Sequence, residues 1–345
     1  MITKKEIEKF RAYLKKSENP LIFYDDDPDG LCSYLLLKKY IKRGKGAVLK
    51  TTSTLDLKMY HKIEEYSPDL VIILDIPIVT QDFINKVNVP ILWLDHHPPL
   101  KRKGVHYFNP KKDKKEGQGL PTTYLMYKIA EENDLFFGTV GSIADWHIPE
   151  YAEEFSEKYP DILPKNMKTA PGIIFDSKLG ELIKIFALIL KNSTSQVNKA
   201  ANLLLKLKDP YELLEEKTPT AKYILASIKK QLKEYDKVMK EIDKQKPTKE
   251  KLHIIEVPKT NNSYTSIISN YLIYKYPKKV IIVKRVKEDE VIMSLRTTQI
   301  NIRDALEKSL EGLDGFGGGH DHACGAGVRK RDFEEFLERL KENIK

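Results

Sequence analysis

Pro20-Leu-Ile-Phe-Tyr24 and the Asp25-Asp-Asp-Pro-Asp-Gly30 stretch that follows it decide the fold of this chain. The first stretch is an apolar run of the length of a buried strand, and the second places four carboxylates in five positions. Two further apolar runs, Leu70–Leu74 and Pro90–Leu94, each lead straight into an aspartate. Helical stretches such as residues 31–41 separate these runs. Buried strands that alternate with helices indicate a doubly wound parallel sheet of the α/β class.

The ends of these three strands carry the first functional signal. In parallel α/β sheets, ligands bind beyond the carboxyl ends of the strands. Those ends here carry Asp25, Asp75 and Asp95. We therefore expect a carboxylate-rich site along one edge of the sheet.

The composition excludes secreted, fibrous and membrane-spanning classes. Hydrophobic residues make up 41% and charged residues 32% of the 345 positions, and this length favours two domains. No apolar run reaches the length of a membrane span, and two cysteines cannot build a disulfide framework, so we expect a cytoplasmic protein. The excess of 59 basic over 50 acidic residues gives a net charge of +9, which suits a polyanionic partner without proving one.

The pattern changes along the chain and predicts three segments. Residues 1–150 form the parallel-sheet domain. Residues 151–245 are a helical extension and connector, because long helical patterns replace the strands there. The alternation of strands and helices returns in a smaller α/β domain at 250–345, after a polar stretch broken by a proline.

The acidic stretch has two interpretations. Neighbouring carboxylates repel one another, and a divalent cation such as Mg²⁺ or Mn²⁺ compensates that repulsion. Asp25, Asp27 and Asp29 alternate, so an extended turn would direct them to a common centre. An acidic residue after a strand is also an ordinary helix N-cap. This stretch by itself leaves both interpretations open.

Asp95-His96-His97 favours the metal site. Two imidazoles beside a carboxylate, at the end of another strand, add nitrogen ligands to the oxygen ligands, and Mn²⁺ accepts such a mixed set well. Asp75 ends the strand run between them in sequence and would bridge two ions. Asp145 is a further candidate, although its own surroundings favour a plain helix end.

A glycine-rich run, Gly315 to Gly327, is the main signal of the last domain. It contains too many glycines for a helix, and we also expect no regular strand there. Free backbone N–H groups in such a run would form an anion nest, with His320 as a further donor. A flexible turn would explain the glycines equally well. Arg296, which ends a predicted strand, is a suitable donor to phosphate.

Taken in order, these segments resemble the DHH–DHHA1 phosphoesterase superfamily. The Asp-x-Asp-x-Asp-Gly form of the first motif is most similar to RecJ-like single-strand exonucleases, and among them to archaeal ones. This sequence departs from the usual pattern at Asp26 and Pro28, inside the first motif, and at the Ile-Pro pair after Asp75. The matching stretches are Asp25-Asp-Asp-Pro-Asp-Gly30, Leu74-Asp75, Asp95-His-His97, Gly141-Ser-Ile-Ala-Asp145, Ser294-Leu-Arg296 and Gly317-Gly-Gly-His320.

The resemblance implies a role for each residue of the site. His97 would face the scissile phosphate, and Asp95 would orient a ligand histidine. The active site would lie in the cleft between a DHH and a DHHA1 domain. The first metal ion would be held by Asp25, Asp27 and Asp75, and the second by Asp29, Asp75, His96 and Asp145. The terminal nucleotide would be held by Arg296, Gly317, Gly318, Gly319 and His320.

The resemblance also implies an activity. A RecJ-like enzyme would use two divalent ions, Mn²⁺ first and Mg²⁺ as the alternative, to release mononucleotides from single-stranded DNA or RNA in replication or repair. One alternative is a phosphodiesterase for oligoribonucleotides or dinucleotides, but such relatives usually begin the first motif with His where this chain has Asp25. The other is a scaffold that docks on a helicase or replisome protein, but such relatives have lost metal ligands.

Overall fold

The chain divides into two compact units, Met1–Ile228 and Lys229–Lys345. The structure is a computed structural model and describes residues 2–50, 54–111, 119–247 and 249–344. Within these ranges, no helix combines the length and the apolar character that a membrane crossing requires.

A five-stranded parallel sheet forms the centre of the first unit. Its strand order is β2-β1-β4-β6-β7, and a separate parallel pair joins β3 to β5. The three central strands are buried almost throughout, as the apolar runs predict. The strands are β1 (Pro20–Asp25), β2 (Lys45–Leu49), β3 (Thr54–Leu55), β4 (Leu70–Leu74), β5 (Ile78–Val79), β6 (Ile91–Leu94) and β7 (His106–Phe108).

Helices cover the sheet and extend the first unit beyond residue 150. The sequence segment at 151–228, predicted as part of a connector, belongs to this unit. The helices are α1 (Lys4–Lys16), α2 (Pro28–Ile41), α3 (His61–Tyr66), α4 (Gln81–Lys86), α5 (Thr122–Ile129), α6 (Leu135–Ala144), α7 (Ala152–Lys158), α8 (Ala170–Asp176), α9 (Lys178–Ile189), α10 (Thr194–Leu204) and α11 (Tyr211–Leu214). A longer helix, α12 (Pro219–Ile242), continues from the first unit into the second.

The core of the first unit holds the carboxyl ends of the strands in place. Trp93 on β6 is fully buried, donates a hydrogen bond of 2.9 Å to the carbonyl of Ile76, and stacks on Tyr107 of β7. These contacts tie the segment after β4 to the next two strands. Helix α2 is buried along most of its length because it packs against both α5 and α6.

The second unit contains a mixed five-stranded sheet of order β11-β12-β10-β9-β8. Only β8 and β9 pair in parallel among its described strands. The elements are β8 (Leu252–Glu256), α13 (Thr265–Lys275), β9 (Val280–Lys287), β10 (Glu290–Arg296), α14 (Ile302–Leu310), β11 (Gly315–His320), β12 (Ala323–Arg329) and α15 (Phe333–Asn343).

The expectation that the glycine-rich run forms no regular strand is wrong. Gly315–His320 is the edge strand β11, and Ala323–Arg329 is its antiparallel partner β12, with Gly318 opposite Gly325. A glycine strand is weak by itself, but here β12 supplies backbone partners and α14 packs against it. As the edge strand, β11 still presents backbone groups that no described strand pairs with.

Candidate metal centre

Three neighbouring parallel strands end in aspartates at the same edge of the sheet. Asp25 is the last residue of β1, while Asp75 and Asp95 directly follow β4 and β6. The order β1-β4-β6 makes these strands adjacent, so their ends meet as the sequence predicts. Asp75 has a φ of 63°, in the left-handed region that few residues other than glycine adopt. Such backbone strain is found at functional sites more often than elsewhere.

The acidic stretch after β1 fits both sequence interpretations. Asp27 is the N-cap of α2, and its carboxylate accepts a hydrogen bond of 2.8 Å from the backbone N–H of Gly30. Asp25, Asp27 and Asp75 also bring one carboxylate oxygen each to within 4.8 Å of the others. A Cβ at Gly30 would lie 2.7 Å from the carbonyl oxygen of Asp25, so only glycine allows this tight passage from strand to helix. One aspartate therefore caps the helix and also belongs to the cluster.

A second group adjoins the first through Asp75. One ligand atom each from Asp29, His96 and Asp145 lies within 4.8 Å of the others. His96 Nε2 is 3.8 Å from Asp29 Oδ2 and 3.4 Å from Asp75 Oδ1, and His96 Nδ1 is 3.7 Å from Asp145 Oδ2. Asp75 therefore belongs to the first group and contacts the histidine of the second. We call these six residues, Asp25, Asp27, Asp29, Asp75, His96 and Asp145, the ligand cluster.

Asp145 reaches the cluster as the C-cap of α6, as its helix-end sequence predicts. A Cβ at Gly141 would lie 2.3 Å from Thr123 Oγ1 and 2.6 Å from Cys32 Cβ. The absence of a side chain at Gly141 thus lets α6 lie close to α2 and α5, which bears Thr123. This close packing positions the end of α6 beside His96.

Two threonines at the start of α5 hold the buried aspartates. The backbone N–H groups of Thr122 and Thr123 donate hydrogen bonds of 2.9 and 2.6 Å to the two carboxylate oxygens of Asp29. The hydroxyl of Thr122 donates a bond of 2.9 Å to Asp75 Oδ1. Sequence reasoning missed both threonines, because only the fold brings a residue 93 or 94 positions away next to Asp29.

The electrostatics of the cluster suit a bound cation. Burial and the carboxylate of Asp27 raise the pKa of Asp25 to about 8 and that of Asp29 to about 7. Burial and the carboxylate of Asp29 also raise the pKa values of Asp75 and Asp145 well above the usual range. Carboxylates gathered in this way are stable as anions only beside positive charge.

One further atom points to the same conclusion. Oδ2 of Asp75 is buried and has no hydrogen-bond partner among the residues that the structure describes. Buried polar atoms are nearly always hydrogen-bonded. An unpaired oxygen in the middle of several carboxylates therefore indicates a position for a cation. The donor set of oxygens and one imidazole suits Mn²⁺ or Mg²⁺. The residues present therefore fit the divalent ions that the sequence predicts.

His97 and Asp95 form a pair that adjoins the cluster at Asp75, because one ligand atom each from Asp75, Asp95 and His97 lies within 4.8 Å of the others. His97 Nδ1 is 2.7 Å from Asp95 Oδ1, and Asp95 also accepts hydrogen bonds from Tyr107 at 2.9 Å and Asn109 at 3.2 Å. Burial lowers the pKa of His97, but the Asp95 carboxylate outweighs it and raises the pKa to about 9. The residue that Asp95 orients here is His97. Tyr107 and Asn109 were not predicted, although Asn109 follows the apolar end of a strand just as the aspartates do.

The predicted nucleotide-binding residues lie in the second unit. The guanidinium of Arg296, at the end of β10, donates to Asn270 at 2.6 Å, to Ser266 at 3.1 Å, and to the carbonyls of Leu295 and Cys324. Arg296 is opposite Ala323 of β12, which in turn is opposite His320. The structure therefore brings Arg296 and His320 to the same end of the sheet. Gly317, Gly318 and Gly319 lie along β11, beside His320.

Two family models match the chain on the two sides of its helical segment. The N-terminal domain of the DHH family matches residues 20–159, and the DHHA1 domain matches residues 249–345. The chain belongs to the DHH–DHHA1 phosphoesterase superfamily. The DHH match contains every residue of the ligand cluster, as well as Asp95 and His97. The DHHA1 match contains Arg296 and the glycine strand.

Solved structures share this DHH–DHHA1 fold at low sequence identity. RecJ from Thermus thermophilus in complex with Mn²⁺ has a TM-score of 0.68 and 16% identity, over 99% of this chain but only 55% of that one. An exonuclease RecJ bound to manganese has a TM-score of 0.62 and 14% identity, over 99% and 94% of the two chains. The DHH domain of a member of the S1p family of ribosomal proteins has a TM-score of 0.70 and 16% identity, over 99% of this chain and 90% of that one. The α/β fold class predicted from the sequence is confirmed. None of the curated proteins matches the chain by sequence.

Proposed function

We propose that this DHH–DHHA1 protein is a metal-dependent exonuclease that releases mononucleotides from an end of single-stranded DNA or RNA. The observation that carries the proposal is the position of Asp75, which belongs to the Asp25–Asp27 group and lies 3.4 Å from His96 of the other group. A carboxylate shared between two ligand groups is the arrangement that a two-metal phosphodiesterase needs. Two of the RecJ structures of the same fold are in complex with manganese.

Each residue of the cluster has a role in this proposal. Asp25, Asp27 and Asp75 hold one divalent ion, and Asp29, Asp75, His96 and Asp145 hold the other. When bound, two such ions lower the pKa of a water molecule and neutralise the charge that develops on the phosphate. Thr122 and Thr123 keep Asp29 and Asp75 in place, because their hydrogen bonds to the carboxylate oxygens prevent the carboxylate groups from rotating.

His97 acts on the phosphate from beside the ligand cluster. Asp95 fixes the orientation of its ring through Nδ1, and the raised pKa keeps the imidazole protonated near neutral pH. A protonated imidazole donates a charge-assisted hydrogen bond to a phosphate oxygen and stabilises the negative charge there. Tyr107 and Asn109 hold Asp95 in turn.

The DHHA1 domain binds the nucleotide. Arg296 is suited to phosphate because its side chain is planar and its orientation is fixed by Asn270 and Ser266. The backbone N–H groups of the edge strand β11 and the side chain of His320 add further donors. The net charge of +9 agrees with a long polyanionic substrate better than with a small neutral one.

A time course on single-stranded oligomers tests the proposal. DNA and RNA strands labelled at one end or the other are incubated with Mn²⁺, with Mg²⁺ or with EDTA. We expect stepwise, metal-dependent shortening by the wild-type protein and none by Asp75→Asn. Asp82→Asn is the matched control, because Asp82 is exposed on α4 and belongs to neither ligand group, and it should retain full activity.

The other outcomes separate the alternatives. Cleavage limited to substrates of a few nucleotides would contradict the exonuclease assignment and favour a short-substrate phosphodiesterase. If the protein binds Mn²⁺ but cleaves no strand, the result would contradict the assignment of an enzymatic activity and favour a scaffold. Activity that survives in Asp75→Asn would show that the ligand cluster is not the active site.

A further inference from the structure

Asp26 adds a carboxylate in the middle of the acidic stretch, and it forms an ion pair with Lys50 and does not belong to either ligand group. Its Oδ1 lies 3.4 Å from Nζ of Lys50, and the two side chains are only 24% and 20% exposed. Burial raises the pKa of Asp26, and the positive charges of Lys191 and Lys50 oppose that rise.

The order of the strands determines which residues flank this stretch. Strand β1 lies between β2 and β4, and Leu49 of β2 is opposite Asp25. Lys50, the residue after Leu49, therefore lies level with Asp26 on the β2 side. Asp75 follows the strand on the other side. The acidic stretch thus has a cation on one side and the ligand cluster on the other.

Lys50 is itself held by the end of a helix. Its Nζ donates hydrogen bonds to the carbonyl of Leu190, the C-cap of α9, and to the carbonyl of Asn192 at 2.7 Å. The last carbonyls of a helix lack partners within it and carry partial negative charge, which favours a cation there. The ammonium group of Lys50 therefore connects the end of α9 to Asp26, which lies between the proposed metal ligands Asp25 and Asp27 in the sequence.

We propose that Lys50 is a positioning residue for the metal centre: by binding Asp26 to the end of α9, it holds Asp25 and Asp27 directed at Asp75. This inference rests on the metal centre of the proposed function. It assigns the helical segment after residue 150 a role in maintaining the geometry of the site. It also accounts for the extra acidic residue in the first motif, because Asp26 is the carboxylate that Lys50 binds.

The direction in which divalent-cation affinity changes on removal of Lys50 distinguishes a positioning role from a purely electrostatic one. If Lys50 acted only as a nearby positive charge, its removal would make the site more negative and tighten the binding of a divalent cation. If Lys50 positions the acidic stretch, its removal weakens cation binding despite the more favourable charge. Residues that hydrogen-bond a metal ligand directly typically change metal affinity by about 10- to 100-fold. Lys50 acts through the residue between two ligands, so we expect an effect at the lower end of that range.

The experiment measures Mn²⁺ binding to the full chain by calorimetry, without substrate. We expect Lys50→Met to weaken binding about tenfold or more, and Lys50→Arg to restore most of the loss because arginine donates to the same acceptors. Asp26→Asn should weaken binding, and the double variant should be no worse than Lys50→Met, since both changes break one connection. Lys165→Met is the control, because the Lys165–Glu157 ion pair is exposed and belongs to another part of the unit.

Each outcome decides between the two interpretations of Lys50. Unchanged or tighter binding in Lys50→Met overturns the inference. The double variant, in which neither charge is left buried without its partner, gives a second test if Lys50→Met does not fold. If only charge mattered, the opposite effects of the two changes would cancel, so wild-type binding in the double variant also overturns the inference. Circular dichroism in EDTA shows whether each variant is folded. A wild-type protein that binds no Mn²⁺ would instead refute the metal centre, so the two failures are distinguishable.

Discussion

The hydroxyl of Thr122 donates a hydrogen bond of 2.9 Å to Oδ1 of the buried Asp75, which is shared between the two ligand groups. This bond occupies one carboxylate oxygen, while Oδ2 has no hydrogen-bond partner in the described part of the chain. A carboxylate fixed on one side and unsatisfied on the other is prepared for a cation. The relationship between these two residues leads to the first prediction.

Thr122→Val removes the hydroxyl and keeps the shape of the side chain. The backbone N–H of Thr122 continues to bind Asp29, so only the orientation of Asp75 is lost. We expect Mn²⁺ affinity and kcat to fall by about tenfold or more. Thr139→Val is the matched control, because Thr139 is buried and its hydroxyl has no partner among the described residues. Equal effects of the two changes would contradict a specific role for Thr122.

Asp75→Asn should stabilise the metal-free protein. The folded state raises the pKa of Asp75, so the carboxylate costs folding free energy once the pH exceeds its usual value. In EDTA, the free energy of unfolding of Asp75→Asn should exceed that of the wild type, and increasingly so at higher pH. Mn²⁺ should reverse the order, because a cation at 100 times its Kd adds about 2.7 kcal/mol to the wild type alone. Urea unfolding with and without Mn²⁺ measures both effects.

Asp95→Asn should reduce turnover more than it reduces metal affinity. Asp95 accepts hydrogen bonds from His97, Tyr107 and Asn109, and an amide places an N–H group against at least one of these donors. The mismatch costs about 1–3 kcal/mol of stability and releases the ring of His97. Parallel measurement of kcat and of Mn²⁺ Kd checks the prediction. Tyr107→Phe, which removes one bond of the three, should have a smaller effect, and a loss of metal binding as large as the loss of kcat would refute the assignment.

Gly30→Ala should inactivate the protein through a single methyl group. Its Cβ would lie 2.7 to 3.0 Å from backbone atoms of Asp25, so the acidic stretch must shift. Overpacking of this kind costs about 1–3 kcal/mol, and the shift separates Asp25 from Asp75. Gly119→Ala is the control, since a Cβ at Gly119 meets no atom of the described residues within 4 Å. Thermal melting and the strand assay together show whether activity falls further than stability does.

Both cysteines should react slowly with thiol reagents in the folded protein. Burial raises the pKa of Cys324 to about 11 and that of Cys32 well above its usual value, so little thiolate is present near neutral pH. The rate of reaction of Cys324 should rise with pH until about 11. Addition of denaturant should expose both thiols to rapid modification, and fast reaction of either thiol in the native state would contradict their burial.

The sequence determined the three central strands of the first sheet, the fold class and the strand ends that carry the aspartates. Apolar runs at Leu70–Leu74 and Pro20–Tyr24 identified central strands because a parallel sheet is buried on both faces, which leaves a local signal in composition. Because ligands gather beyond the carboxyl ends of such strands, the positions of Asp25, Asp75 and Asp95 followed from the same signal.

Contacts between distant segments were decided only by the tertiary structure. Thr122 lies 47 residues from Asp75, and Lys50 lies 140 residues from Leu190, so no local pattern relates the members of either pair. The glycine-rich run was misjudged for the same reason, because the pairing of β11 with β12 outweighs the weak strand preference of glycine. Local sequence specifies which residues can form a strand end or a cap, whereas packing across the whole chain determines which side chains hold them.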